Sequence, residues 1–220
     1  MRTILLVLAS IAAASCAPGT DDVHVPEPMP IRAYPESALT QHPDSALRAE
    51  LLAMGEEDQA VRQGLSPETF QDTAFMRRLM RTDSALSLRL REIIDQHGWP
   101  DAQRLGADAV NAAFLVVQHS PFPEFLIEVL PHVERDVRAG VLDAQSYALM
   151  FDRVRVQSGH PQRYGTQYSL VNGAMVQDPV EDPARLDARR AELGLMPIAE
   201  YERLLSEYYS VEVSGGDRSP

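Results

Sequence analysis

His119 and Asp152 are the two side chains of this sequence best placed to move a proton. His119 comes three residues after Val116 and seven after Ala112, beside the buried stripe of a very apolar helix, where an imidazole needs partners. Asp152 comes three residues after Leu149 and four before Val156, at the border of its own helix's apolar face. A carboxylate so placed can orient an imidazole, the arrangement of a general base. A serine hydrolase would add an activated hydroxyl. Ser120 adjoins His119 and Thr166 lies further along, but no segment has the form of a nucleophile elbow. In the competing reading the same groups are satisfied core residues, and Asp152 with Arg153 is a structural ion pair. His97, His119, His132 and His160 show neither His-x-x-x-His nor Glu-x-x-His spacing, so no metal site is read and no cofactor is expected. All 20 basic residues are Arg, which removes Schiff-base, P-loop and Ser-Lys chemistry. Cys16 is the sole cysteine.

Helices must carry these groups. Ala46, Leu47, Leu51, Met54 and Val61 recur at helical spacing, with Asp58 able to pair with Arg62 one turn on. Ser66-Pro67 reads as the start of a second helix, whose apolar face holds Phe70, Phe75, Leu79, Met80, Leu86, Leu90, Ile93 and Ile94. Gly98-Trp99-Pro100 stops it, with Trp99 expected to pack back on Ile94. A third helix is expected from the Asp101 cap to about His119 without a break. Ser120-Pro121 restarts the chain, and the next helix should kink or break at Pro131. Asp143 caps a helix with Tyr147, Met150, Phe151 and Val154 on its buried side. Positions 164–171 and 174–177 flank Asn172-Gly173, the signature of a type I′ hairpin. Strand alternation would put Tyr164, Thr166 and Tyr168 on one face and Gln167 on the other, so that only one of Thr166 and Gln167 meets the helices unless Gly165 marks a bulge. Two helices close the domain, at about 183–192 and 197–209. Arg189-Arg190 could grip a carboxylate or phosphate, yet Asp187 and Glu192 nearby mark a solvated helix face. The fold class is therefore mainly α: one bundle or array of about seven helices over residues 44–210, with one small β-hairpin at about 164–178 resting on it, because a lone hairpin is marginal in water.

The two ends differ from this frame. Arg2 precedes an unbroken small-and-apolar run over residues 4–14, shorter than the roughly 20 residues of a spanning helix. It fits the apolar region of a secretory signal, residues 1–15, with a small-residue cleavage site. Cys16 directly after that site resembles the lipobox of bacterial lipoproteins, which implies that Cys16 is lipidated and spent as an anchor. Residues 17–43 hold six of the sixteen prolines and read as a semi-rigid tether. Residues 211–220 read as a frayed tail. Ala17, rather than Asp, after the cysteine leans toward the outer membrane facing the periplasm. The net charge of −12 argues against nucleic acid as a partner and against attraction to anionic headgroups by the overall field.

Gly98-Trp99-Pro100, Gln118-His119, Asp152-Arg153, Gln162-x-Tyr164-Gly165-Thr166-Gln167 and Asp187-x-Arg189-Arg190-x-x-x-Gly194-Leu195 follow one another in this order. Together they resemble a bacterial family known mainly as a domain of unknown function, over about 58–201. Ser120 stands where that family is expected to have Ala, and Leu86 where Asn is expected. The resemblance implies a residue set, His119, Asp152, Arg153, Gln162, Tyr164, Thr166 and Gln167, as ligand-binding candidates, but no substrate. The leading expectation is a lipid-anchored envelope protein of unknown activity, a binding or accessory module with a polar site at the hairpin–helix junction. One alternative is a hydrolase with His119 as base, Asp152 orienting it, and Gln162, Tyr164 and Gln167 placing substrate. Another is a purely structural envelope component.

Overall fold

A computed structural model describes residues 44–65 and 69–215. The export signal, Cys16, the proline tether and the Ser66-Pro67 start lie outside the described residues. The expected mainly α architecture is present: eight helices accompany a small three-stranded sheet. The described residues fall into two compact units, 44–143 and 144–215.

The first unit is all helical. Helix α1 (Ser45–Val61) packs most extensively on α4 (Ala107–Gln118), and both touch α2 (Thr73–His97). Gly55 makes the α1–α4 approach possible, since a Cβ there would stand 2.7 Å from the Ala112 Cβ. Helix α2 begins later than Ser66-Pro67 suggested: Asp72 caps it, accepting from Ala74 N and Phe75 N. It ends at Gly98, with φ of 75°. Trp99 is buried, and Asp136 and His132 hold it. Its Nε1 donates to Asp136 Oδ2 at 2.7 Å, and its ring stacks on His132.

Two helix boundaries differ from the sequence reading. Asp101 caps a helix, but α3 (Ala102–Leu105) is a single turn; Gly106, at φ 91°, separates it from α4. Arg48 of α1 bridges the break, donating to the Leu105 carbonyl at 2.6 Å and to both Asp108 carboxylate oxygens. Helix α5 (Pro123–Arg138) does not break at Pro131 but runs through it. Pro131 is on the exposed side, where water can serve the carbonyl it leaves bare, while Phe125, Leu126, Val129, Leu130, Val133 and Val137 are buried opposite.

The second unit opens with α6 (Ala144–Gln157), buried at every position from Ser146 to Val154. Strand β1 (Tyr168–Val171) pairs antiparallel with β2 (Ala174–Gln177) around Asn172 (φ 51°) and Gly173 (φ 84°), both left-handed as a type I′ turn requires. The hairpin starts at Tyr168, four residues later than the sequence pattern indicated. Residues 213–214, expected to fray, form β3 (Val213–Ser214) parallel to β2. After a short 3-10 turn come α7 (Leu186–Glu192) and α8 (Ile198–Tyr209). Leu149, Tyr168, Met175, Leu186, Ile198, Tyr201 and Leu205 form this unit's core. No described helix is long and apolar enough to cross a membrane.

Candidate functional site

The expected partners His119 and Asp152 fall in different units; His119 meets a carboxylate of its own unit, and Asp152 meets backbone of its own.

Asp152 is fully buried on α6 and faces the segment that runs into the hairpin. Its Oδ1 accepts from Arg163 N at 2.7 Å and Tyr164 N at 3.0 Å; its Oδ2 accepts from Thr166 N at 3.0 Å and Thr166 Oγ1 at 2.9 Å. One carboxylate thus takes three consecutive-region backbone donors that no strand or helix supplies with partners. Burial pushes the Asp152 carboxyl up, against the downward pull of these donors. Gly165, at φ 71°, turns the chain around the carboxylate. Gln162 closes the loop as a strand would. Its Oε1 accepts from Gln167 N at 2.8 Å, while its Nε2 donates to the carbonyls of Gln167 at 2.9 Å and Asp178 at 2.8 Å.

The alternation rule fails here because residues 164–167 are not strand. Thr166 and Gln167 both meet α6, through Thr166 Oγ1 on Asp152 and Gln167 Nε2 on the Leu149 carbonyl at 3.1 Å. Tyr164 packs its ring against Phe151 and Tyr147, and burial pushes its phenol up. Arg153 is also buried. Arg189 and Arg190 are buried too, contrary to the solvated face expected of them. Arg189 donates to the carbonyls of Arg163, Asp182 and Glu181. Arg190 donates to those of Met196 at 2.7 Å and Tyr164 at 2.5 Å, and its guanidinium lies over the Tyr201 ring at 4.9 Å. Burial lowers both guanidinium pKa values. A seven-residue helix gives too little periodicity to reveal that these arginines face inward.

In the first unit the carboxylate on His119 is Asp58. The His119 Nδ1 lies 2.9 Å from Asp58 Oδ1 and 3.0 Å from Oδ2. With the proton on Nδ1, the basic nitrogen of a neutral ring is Nε2. Asp58 also receives Gln59 Nε2 at 2.8 Å and pairs with Arg62 Nη1 at 3.0 Å, the turn-apart pair visible in sequence. The second terminal nitrogen of Arg62, Nη2, donates to Asp83 Oδ1 of α2 at 2.7 Å. Arg62 is thus held between two carboxylates, and the Asp58 and His119 side chains are each only 1% exposed. Ser120 Oγ accepts from Phe122 N at 3.2 Å, in the turn that leads into α5. Leu86 is a buried apolar residue of α2. Sequence reasoning missed Asp58 and Asp83 as members of this cluster. Asp83 carries a signal in retrospect, as the sole acidic residue at positions 73–90 of an arginine-rich helix.

Residues 43–214 match a family of unknown function, DUF6624, and the chain belongs to that family. No curated protein and no solved structure matches it.

Proposed function

Starting from a DUF6624 chain with a lipobox-like leader, we propose a lipid-anchored bacterial envelope protein that acts as a binding or accessory module. Its buried polar set maintains each unit's shape, and its surface makes the contacts. The anchor reading is supported by the apolar run at 4–14 and by Cys16 after a small-residue site. Ala17 favours the outer membrane, facing the periplasm.

The observation that carries the module reading is the use made of Asp152. All four of its donors come from residues 163–166, so it serves the fold of its own loop. The hairpin–helix junction is then a scaffold, not a ligand pocket. The burial of His119 and Asp58 points the same way, because a general base must come within hydrogen-bond reach of its substrate. Two experiments test this. Cys16→Ala should abolish acyl labelling and release the protein from membranes; continued membrane association refutes the anchor. His119→Ala should lower the melting temperature by several degrees, since it leaves the Asp58 carboxylate buried without its imidazole. An unchanged melting temperature refutes the architectural role.

A second reading is favoured by one observation. Asp58 offers both oxygens to His119 Nδ1, as a carboxylate orienting a general base does. In that reading Asp58 takes the part expected of Asp152. Hydrolysis of an activated ester by the wild-type protein, lost in His119→Gln without loss of fold, would select it.

A further inference from the structure

The exposed face of α2 departs from the charge of the rest of the chain. Arg77, Met80, Arg81, Ser84, Ala85 and Leu88 follow one another at helical spacing and line a shallow surface groove of about 800 Å³. Met80 is 57% and Leu88 53% exposed, the two highest values among the exposed large apolar side chains of the described residues. Arg77, Arg78 and Arg81 are exposed beside them. Arg77 Nε donates to the Thr73 carbonyl, and Arg78 lies over the Phe75 ring at 5.4 Å. Among the described residues none of the three forms an ion pair, although the chain has 32 acidic residues to its 20 arginines. The only acid at positions 73–90, Asp83, is buried and bonded to Arg62. Arg89, further along, is already held by Glu50 and Glu92.

We propose that this face of α2 docks on an anionic lipid surface, with Arg77, Arg78 and Arg81 on the headgroups and Met80 and Leu88 entering the interface. Basic residues flanking exposed apolar ones on one helix are the composition that binds in the plane of a membrane surface. The face is also ill suited to a symmetric pair of copies, which would bring six arginines together. The chain's overall negative charge opposes approach from a distance, but that repulsion is screened beyond about 10 Å in 0.1 M salt, whereas contacts at the face are local. For its setting the proposal rests on the anchor reading. A tether starting at a lipidated Cys16 would keep the domain at high effective concentration near the bilayer, so a weak contact suffices to orient it.

The test uses the mature chain, residues 16–220, with Cys16→Ser, so that neither leader nor acyl chain is present. It is sedimented with vesicles of phosphatidylglycerol or of phosphatidylcholine, in low and in high salt. Binding to the phosphatidylglycerol vesicles alone, released by salt, is the expected result. Each arginine is expected to contribute about five-fold, so Arg77→Gln, Arg78→Gln and Arg81→Gln together should weaken binding roughly a hundredfold. Met80→Ser with Leu88→Ser should weaken it as well, and serves if the arginine variant does not fold. The proposal is overturned if phosphatidylglycerol vesicles bring down no protein, if both folded variants bind like the wild type, or if the face instead drives self-association in the absence of lipid. Acyl labelling of Cys16 reads the anchor independently, so failure of either idea leaves the other standing.

Discussion

Replacing Asp152 with Ala removes the acceptor of four hydrogen bonds at a site with no exposed surface. Thr166 Oγ1 can fall back on the Ala148 carbonyl, which it already approaches at 3.3 Å. The amides of Arg163, Tyr164 and Thr166 all donate to the carboxylate that the substitution removes. An unsatisfied buried donor costs about 1–3 kcal/mol, so three would cost about 3–9 kcal/mol if nothing relaxed. Water entering the vacated carboxylate volume recovers part of this, and about 3–5 kcal/mol is the expected loss. At about 2–4 °C per kcal/mol for a chain of this size, the second unit should melt roughly 6–20 °C below wild type. The chain supplies two separable probes. Six of its seven tyrosines lie at or beyond Tyr147, in the second unit, and its only tryptophan, Trp99, lies in the first. Near-ultraviolet tyrosine dichroism should shift to lower temperature or denaturant, whichever way tryptophan fluorescence responds. Asp152→Asn keeps one acceptor oxygen and should lose less than the alanine variant. A tyrosine transition at the wild-type midpoint in Asp152→Ala would refute the claim that this carboxylate organises the loop.

Three further perturbations read other parts of the fold. Gly55→Ala gains about 1 kcal/mol of helix propensity but forces a methyl to 2.7 Å from the Ala112 Cβ and 3.1 Å from its Cα, so it should destabilise by about 1–3 kcal/mol in chemical denaturation, and a second change, Ala112→Gly, should recover most of the loss. Gly165→Ala is strained by its φ of 71° and would press a Cβ to 2.7 Å from Gln177 Nε2 and 3.1 Å from Ile198 Cδ1; a loss of about 2–3 kcal/mol is expected, and an unchanged tyrosine transition would show that the turn can relax. Burial, then the nearby Arg135 charge, holds the His132 pKa below its ordinary 6.5, with Asp136 and Glu128 opposing. The unfolded chain therefore binds this proton more readily than the folded one, so the stability contributed is complete above 6.5 and declines as pH falls through the window below it. His132→Phe keeps an aromatic ring on Trp99 and should flatten the melting-temperature profile between about pH 7 and about pH 5; an unaltered slope would assign the acid sensitivity elsewhere.

Features set by contacts between neighbouring residues were legible in the amino-acid order. Apolar residues at helical spacing located most of the helices, and Asp101 was legible as a cap because a cap bonds only amides two and three residues ahead. Asn172-Gly173 was legible because a type I′ turn demands φ above zero at two adjacent residues. The Asp58–Arg62 pair, one helical turn apart, was visible for the same reason. His119 and Asp152 stood out as polar groups on apolar faces, and both are buried.

Tertiary structure alone decided what those groups bond. Asp58 and His119 are 61 residues apart, and no local pattern singles out one carboxylate among 32 acidic residues as the partner of an imidazole. The segment 164–167 alternates like a strand, yet it wraps a carboxylate on α6, because three backbone donors converging on a buried anion outweigh the pleat that alternation assumes. Arg189 and Arg190 face inward because loop carbonyls from residues 163–164, 181–182 and 196 come together around them. The physical reason is common to all three. Helix and turn signals are written in contacts a few residues long, whereas a buried polar group takes whatever donor or acceptor the packed chain brings to it.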